Sequence, residues 1–583
     1  MTRRSKLYER LPSRDWIRIL VVEPGKNQDR IVCRLQLCSI RQGYPEYEAL
    51  SYVWGSSEER TDITCNSKDI RVTRNLGEAL QRVRLADRPR LVWVDALCIN
   101  QGNVEERGHQ VRLMSLIYRK AQNVLIWAGR DENRYASSAF SLIRQIANNE
   151  ESHPDTLDFS NPNRCECKSM TDSQGKEMSL TTSPSWESVK AFFKIPWLRR
   201  LWVLQEVVLS SSAVMMWGDT EIPWELVGIA SKHIQDDHKL WSAVDERTGI
   251  GNAYLMHSLR NPTHTAYSFR ILLQRSRRFE ATEPKDRIFA VLGLPTTDTA
   301  PDKGVLFLEP DYTLSVFQLY LKVARRVIEQ ERNLGLLSAV QHGPSIDEGL
   351  PTWVPRWDKF SINILAGVDG RSHATAAGLP EHKVEFASKK LGSLMTQGLE
   401  LDAIAHATDT MSEEDFQNAA SFSNMWIRRA QRIFGQYNQS HLEALCWTMT
   451  AGKDWADEPI QDTASHWADF AAWWVQVSDK TPNSNILTAA QAGTAERFVV
   501  AASDCWDRRL FVTRKGYLGL GPEALREQDL VCVLTGGSVP YVLRKVDRHY
   551  QFVGESYVYG MMKDEAVQDW REGKLVLKDF ELR

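Results

Sequence analysis

Four short apolar runs, spaced by helical patterns, confine residues 16–224 to an α/β architecture. The runs are Leu50–Trp54, Leu91–Ile99, Asn123–Trp127 and Ala213–Trp217. Between them, Leu76, Ala79, Leu80 and Val83, then Val111, Met114, Ile117, Tyr118 and Ala121, recur at helical spacing. A nearly continuous apolar run such as Leu91–Ile99, interrupted at Asp95, is the pattern of a strand covered on both faces. Asn75 with Glu78 and Asn103 with Glu106 have the spacing of capping boxes at helix starts. Trp16–Val22 and Ile31–Leu37 add two leading strands, and Pro196 is expected to open a helix running to about Leu209. The expected fold for residues 1–230 is therefore an open, mostly parallel sheet flanked by helices, interrupted by a polar insertion at about 149–185. A mainly helical middle (231–375) and an α+β region with a β-rich end (376–583) follow.

In open α/β sheets, ligands sit beyond the carboxyl ends of the strands. Three of these strands end alike, in Trp54-Gly55, Trp127-Ala128-Gly129 and Trp217-Gly218. If they are parallel neighbours, three indoles gather at one edge. Two readings stand: a surface on which a planar ring stacks, or plugs closing the end of the core.

Composition narrows the function. The 72 Lys and Arg against 75 Asp and Glu leave a net charge of -3, which gives no electrostatic reason to expect nucleic acid or an anionic membrane surface as partner. Nine scattered cysteines read as reduced thiols, and Cys165 with Cys167 is a poor zinc spacing, so no metal is expected. The charged N-terminus lacks the apolar core of a signal peptide, and no run is long enough to span a bilayer. A cytoplasmic protein is expected. There is no G-x-x-x-x-G-K-[ST] phosphate loop, G-x-S-x-G elbow or H-E-x-x-H pair. Gly516, Gly519 and Gly521 read as part of a β-hairpin, not as a dinucleotide loop.

The runs YEALSYVWG (Tyr47–Gly55), LVWVDALCINQ (Leu91–Gln101) and RLWVLQEV (Arg200–Val207) resemble the fungal heterokaryon-incompatibility (HET) family. So do Val72–Leu80, Glu106–Gly129 and Pro196–Gly218, and segments such as Ala281–Leu294, Leu350–Trp357 and the C-terminal G-Y-L-G-L-G-P resemble those that accompany this domain. The resemblance implies non-self recognition linked to programmed cell death, with a protein partner or self-association. A shorter resemblance joins Trp202-Val203-Leu204-Gln205-Glu206-Val207 to the W-C-x-x-E-L helix of Toll/interleukin-receptor (TIR) domains, whose NAD-cleaving members use that Glu as catalyst. The flavodoxin-like and TIR-like sheets are open α/β modules of the expected kind.

The resemblance implies Glu206 as catalytic residue and NAD, or another nucleotide, as substrate; no cofactor is implied. Arg199, Trp202 and Glu206, at i, i+3 and i+7, would share one helical face and offer a cation, an aromatic plane and a carboxylate. Nicotinamide loss passes through an oxocarbenium-like sugar, which one carboxylate could stabilise. The alternative is a structural stripe with Trp202 in the core and Arg199 paired to an acid. Trp54, Gly55, Asp95, Asn100 and Gln101 complete the candidate binding set. Asp95, within an apolar run, either serves a pocket or takes structural hydrogen bonds from a neighbouring loop or Arg107. Asn100 and Gln101 either read a ribose or amide or cap a turn. The enzymatic reading requires Glu206, beside Trp202, to face an accessible hollow; the other reading is a non-catalytic signalling scaffold or nucleotide-binding module.

Overall fold

The computed structural model describes residues 7–583 apart from residues 27, 149–169, 172–176, 179–182, 238–239, 242, 245–248, 261–266, 347–348, 360–363, 366–375, 377, 381–384, 387–391, 412–438 and 479–481. Most of the expected insertion, the Cys165/Cys167 pair and a helix expected at Ser423–Phe434 lie outside the described residues. By packing, the chain divides once, into units Met1–Thr313 and Leu314–Arg583. The helices between residues 224 and 313, among them Trp224–Asp236 and Ile250–Arg260, pack within the first unit.

The first unit is built on a nine-stranded sheet. Its strands are β1 (Trp16–Val22), β2 (Val32–Ser39), β3 (Glu48–Tyr52), β4 (Arg60–Cys65), β5 (Lys68–Thr73), β6 (Arg90–Trp93), β7 (Val124–Trp127), β10 (Ala213–Trp217) and β11 (Thr220–Pro223). A separate two-residue hairpin, β8 (Met170–Thr171) with β9 (Glu177–Met178), lies in the insertion. The spatial order is β11-β10-β7-β3-β6-β1-β2-β4-β5. β10, β7, β3 and β6 are mutually parallel, as are β2 and β4; the pairs β11–β10, β6–β1, β1–β2 and β4–β5 are antiparallel. The sheet is therefore mixed, which corrects the mostly parallel expectation. The run of four parallel strands is the part whose connections contain helices, β2 and β4 are linked through β3, and the tight turns return their strands antiparallel.

Sequence patterning missed the β4–β5 hairpin. Its two-residue turn, Asn66-Ser67, holds φ at 50° and 58°, the mirror-image turn that matches strand twist. β5 runs straight into helix α1 (Arg74–Val83), whose cap is Thr73. Asn75 is thus inside the helix, not its cap. The Leu91–Ile99 run also breaks: β6 ends at Trp93, and Asp95–Cys98 form a one-turn helix α2. Helix α3 (Val104–Lys120) starts on an Asn103 side chain that accepts from the Glu106 N–H, as expected. The Glu106 carboxylate, however, takes Arg18 of β1 at 2.6 Å and the Asn100 N–H at 2.8 Å. Arg277 is buried.

In the second unit, β13 (Leu394–Ala407), β16 (Leu530–Leu534), β17 (Tyr541–Val546), β18 (His549–Glu555) and β20 (Leu577–Leu582) pair in a closed ring. β13 is long enough to pair with β16, β20, β14 (Arg508–Thr513) and the two-residue β12 (Glu385–Phe386), shifting register between Glu400 and Asp402 against β16 and between Ile404 and His406 against β14. Such bulges bend a strand and let it turn a barrel corner. Leu399, Leu401, Val531, Val533, Val542 and Val553 fill the interior. The Gly516 turn joins β14 to β15 (Leu518–Pro522) as the expected hairpin.

Gly55, Gly129 and Gly218, which follow the three tryptophan-ended strands, hold φ at 74°, 102° and 58°. A Cβ at Gly218 would also stand 2.9 Å from the Asp131 Cβ. Gly218→Ala is expected to lower stability by about 1–3 kcal/mol, read as a lower denaturation midpoint for the first unit.

Candidate functional site

The parallel strands run spatially β6-β3-β7-β10, so chain order reverses between β3 and β7. Their carboxyl ends hold the residues the sequence singled out. Trp54, just past β3, is 43% exposed and donates from Nε1 to Asp95 Oδ2 at 2.8 Å. Trp127 is 4% exposed and donates to Asn75 Oδ1 at 2.9 Å. Trp217 is 6% exposed and packs against Phe140 and Phe192. The three indoles do share an edge, but two are plugs. Trp54 alone of the three is open to a ligand.

Asn75 ties this edge together. Its Nδ2 donates to the Val53 carbonyl at 2.6 Å while its Oδ1 accepts from Trp127, bridging β3 to β7. A hollow of about 340 Å³ opens beside it, lined in part by Gly55, Ser56, Arg74, Glu78 and Arg130. Glu78 holds Arg74 at 2.9 Å and Arg130 at 2.8 Å, so both cations there are already paired. Glu206 does not line this hollow.

The expected Arg199–Trp202–Glu206 stripe does not form. Pro196–Arg199 is a short 3₁₀ turn, Arg200 is extended, and helix α6 spans Val203–Val208. The break follows from a parallel bridge between Arg200 and Glu280: the Leu201 N–H donates to the Glu280 carbonyl and the Glu280 N–H to the Arg199 carbonyl. It separates the three side chains. Arg199 pairs with Glu280 at 3.4 Å, Trp202 donates to Asp286 Oδ2 at 3.0 Å, and Glu206 turns inward.

Glu206 is 3% exposed. The Ser51 hydroxyl donates to its Oε2, and the Trp197 indole donates to Ser51 Oγ at 2.7 Å. The Arg200 guanidinium, anchored on the Tyr52 carbonyl, lies within electrostatic reach of both Glu206 and Asp95. Burial raises the Glu206 carboxyl to about 7, against the pull of Arg200 and the Ser51 hydrogen bond. Burial likewise raises Asp95, with Arg200 and Trp54 opposing. The phenols of Tyr52 and Tyr118 face the same group and are pushed well up by burial. One cation thus lies within reach of two buried carboxyls, and burial outweighs its pull on each.

Asp95 opens α2 and accepts from Trp54 and from the Ala96 N–H at 2.7 Å. Arg107 stacks instead over the Tyr312 ring at 4.7 Å, so it is not the partner of Asp95. Gln101 donates to the Asp95 carbonyl at 3.0 Å and Asn100 offers its N–H to Glu106, both securing the turn. Asp95 and Glu206 come together; Arg199 and Trp202 stand apart from them. Ser51, Tyr52, Trp197 and Arg200 were missed as site residues, although three lie inside the quoted runs. Nothing in spacing signals that Ser51 meets Glu206, or that Arg200 anchors on the Tyr52 carbonyl, each across more than 140 residues.

A buried carboxyl that keeps its proton above its unfolded pKa ties stability to pH. Between about pH 4.5 and 7 the folded state holds a proton the unfolded state has lost, so stability falls as pH rises through that window. Relative to Glu206→Gln, the wild-type chain is expected to lose on the order of 1–3 kcal/mol across it. Denaturant unfolding at a series of pH values checks this; parallel profiles for the two proteins refute it.

Residues 47–206 match the family described as heterokaryon incompatibility protein (HET), and residues 428–576 match the Het-6 β-barrel domain. The chain is 23% identical to heterokaryon incompatibility protein 6, OR allele, of Neurospora crassa, over 94% of this chain and 94% of that protein. No solved structure matches. Every residue of the Glu206 cluster falls within the HET match, which ends at Glu206 itself. The chain thus carries one region that matches the HET family and another that matches the Het-6 β-barrel domain.

Proposed function

We propose that this chain acts in heterokaryon incompatibility, as a non-self-recognition protein that leads to cell death through a protein partner or self-association. The HET matches support recognition as its role. The observation that favours a signalling module over an enzyme is the burial of Glu206, with Ser51 bonded to the oxygen that a reacting sugar would need. The binding surface in this reading is the carboxyl edge, where Trp54, Gly55 and Asp95 are presented by the turn that Asn100 and Gln101 secure. An exposed indole whose N–H is fixed on a carboxylate is a rigid, amphipathic anchor of the kind that dominates protein interfaces.

A second reading has its own support. The parallel strands, taken in chain order, run 2-1-3-4, the flavodoxin-like arrangement in which ligands bind at the reversal. Glu206 and Asp95 lie below that reversal with raised pKa values, as acid–base groups do. TIR-like cleavage of NAD would then require the Trp54–Asp95 contact to open and admit the substrate. Arg199 and Trp202 have no part in that site as it stands.

The two readings separate in one experiment. Purified chain, and an enforced dimer of it, are incubated with NAD beside Glu206→Gln. The signalling reading expects NAD to persist in all samples; consumption by wild type at least about tenfold faster than by Glu206→Gln replaces it with the enzymatic one. In a fungal host, Trp54→Ala is expected to reduce cell death by about tenfold or more while shifting the melting midpoint by no more than about a degree. Undiminished killing by that variant removes the edge from the proposal.

A further inference from the structure

The β4–β5 hairpin hangs on the rest of the sheet by a short seam. β4 pairs with β2 at Val32↔Thr64 and Cys33↔Cys65, whereas β1 and β2 are paired over their whole length, from Trp16↔Ser39 to Val22↔Cys33. At one of the two seam positions both residues are cysteines. Paired residues on adjacent strands point to the same face, and strand spacing of about 4.8 Å lies within the roughly 4.4–6.8 Å of Cα separation that a disulfide bridges. Both thiols are free and buried, at 2% and 0% exposure. The Cys33 Sγ lies 3.4 Å from the Thr64 carbonyl, next to Cys65 in the chain. A hydrogen bond between the two thiols raises Cys33 and lowers Cys65, giving Cys65 the greater thiolate character.

What the seam holds reaches the carboxyl edge. β5 ends at Thr73 and α1 begins at Arg74, with no residue between. The other strand of the hairpin is also close-packed against α1: a Cβ on Gly77 of α1 would stand 2.3 Å from the Thr61 methyl of β4. Asn75, one residue into α1, is the tie between Val53 and Trp127. Loosening the hairpin therefore loosens that tie, and fixing the hairpin fixes it.

We propose that Cys33 and Cys65 form a redox-sensitive pair, converted by hydrogen peroxide to a disulfide that pins the β4–β5 hairpin and α1 to the sheet. The Cys65 thiolate attacks the peroxide oxygen, the O–O bond breaks, and a sulfenic acid forms with release of water. Cys33 then attacks that sulfur and expels the sulfenic oxygen as a second water. The two thiols lose two hydrogens and two electrons, and one hydrogen peroxide is reduced. In reducing compartments such bonds are transient and serve as sensors. Opening of the outermost hairpin would give oxidant access, since an edge held by two register pairs detaches more readily than the central strands.

The test uses the full reduced chain, exposed to hydrogen peroxide, acid-quenched, unfolded and alkylated for peptide mapping. The expected product joins the Cys33 and Cys65 peptides, about 2 Da lighter than the reduced pair, and dithiothreitol restores both thiols. Amide exchange in β4, β5 and the first turn of α1 is expected to slow by about tenfold or more on oxidation. Cys38→Ser should leave both changes intact. Cys33→Ser should lose the cross-link and leave a sulfenic acid on Cys65 that dimedone traps. Separate alkylation of Cys33 and Cys65 after oxidation, or a bond from Cys65 to Cys98, overturns the proposal. A cross-link with unchanged exchange overturns the pinning. If a variant fails to fold, the wild-type peptide map and exchange data decide the matter alone.

Discussion

A carboxylate buried under the end of a central strand constrains much of the first unit. Leaving Glu206 ionised and unpartnered in the interior would cost several kcal/mol. The surrounding chain answers with a relay: Trp197 donates to Ser51, Ser51 donates to Glu206, and Arg200 supplies the positive charge from the next element. Delivering Arg200 there is incompatible with a continuous helix from Pro196, so the chain breaks between the 3₁₀ turn and α6 and is clasped by Glu280. An apparent helix boundary is in this sense an electrostatic requirement.

The same cluster reaches the surface through Asp95. Arg200 faces both carboxylates, and Trp54 closes over the outer one with its indole N–H. The edge is thus layered, with an exposed aromatic ring outside, a partly exposed acid beneath it and a sealed acid below. This layering accounts for the ambivalence of the functional reading. The outer layer has the chemistry of an interface, and the inner layer has that of a proton-holding site.

Much of this was legible in order along the chain and little of it across the chain. The strands at Trp16–Val22, Val124–Trp127 and Ala213–Trp217, the helix α3 with its Asn103 cap, and the Gly516 hairpin follow from local periodicity and turn chemistry. The β4–β5 hairpin was missed because its strands are half polar and its Asn-Ser turn lacks the glycine that usually marks such a turn. Asn75 and Asn103 carry the same motif, yet one caps its helix and the other bridges two strands. β5 already fixes the start of α1, and that frees Asn75 for a partner far away in the chain. In the second unit, strand-like runs with glycine turns were visible, but barrel closure was not, because it depends on the pairing of β13 with both β16 and β20.

The sequence by itself determined the alternation of strands and helices, the tryptophan–glycine strand ends and the runs that carry the HET resemblance, since each is a matter of neighbours within a few residues. Tertiary structure alone decided which of three similar tryptophans stays open, which arginine serves Glu206, and that Arg199 and Trp202 lie apart from it. Burial and charge pairing are settled between segments distant in the chain. A motif fixes which groups are present, while packing fixes which of them meet and which still see solvent.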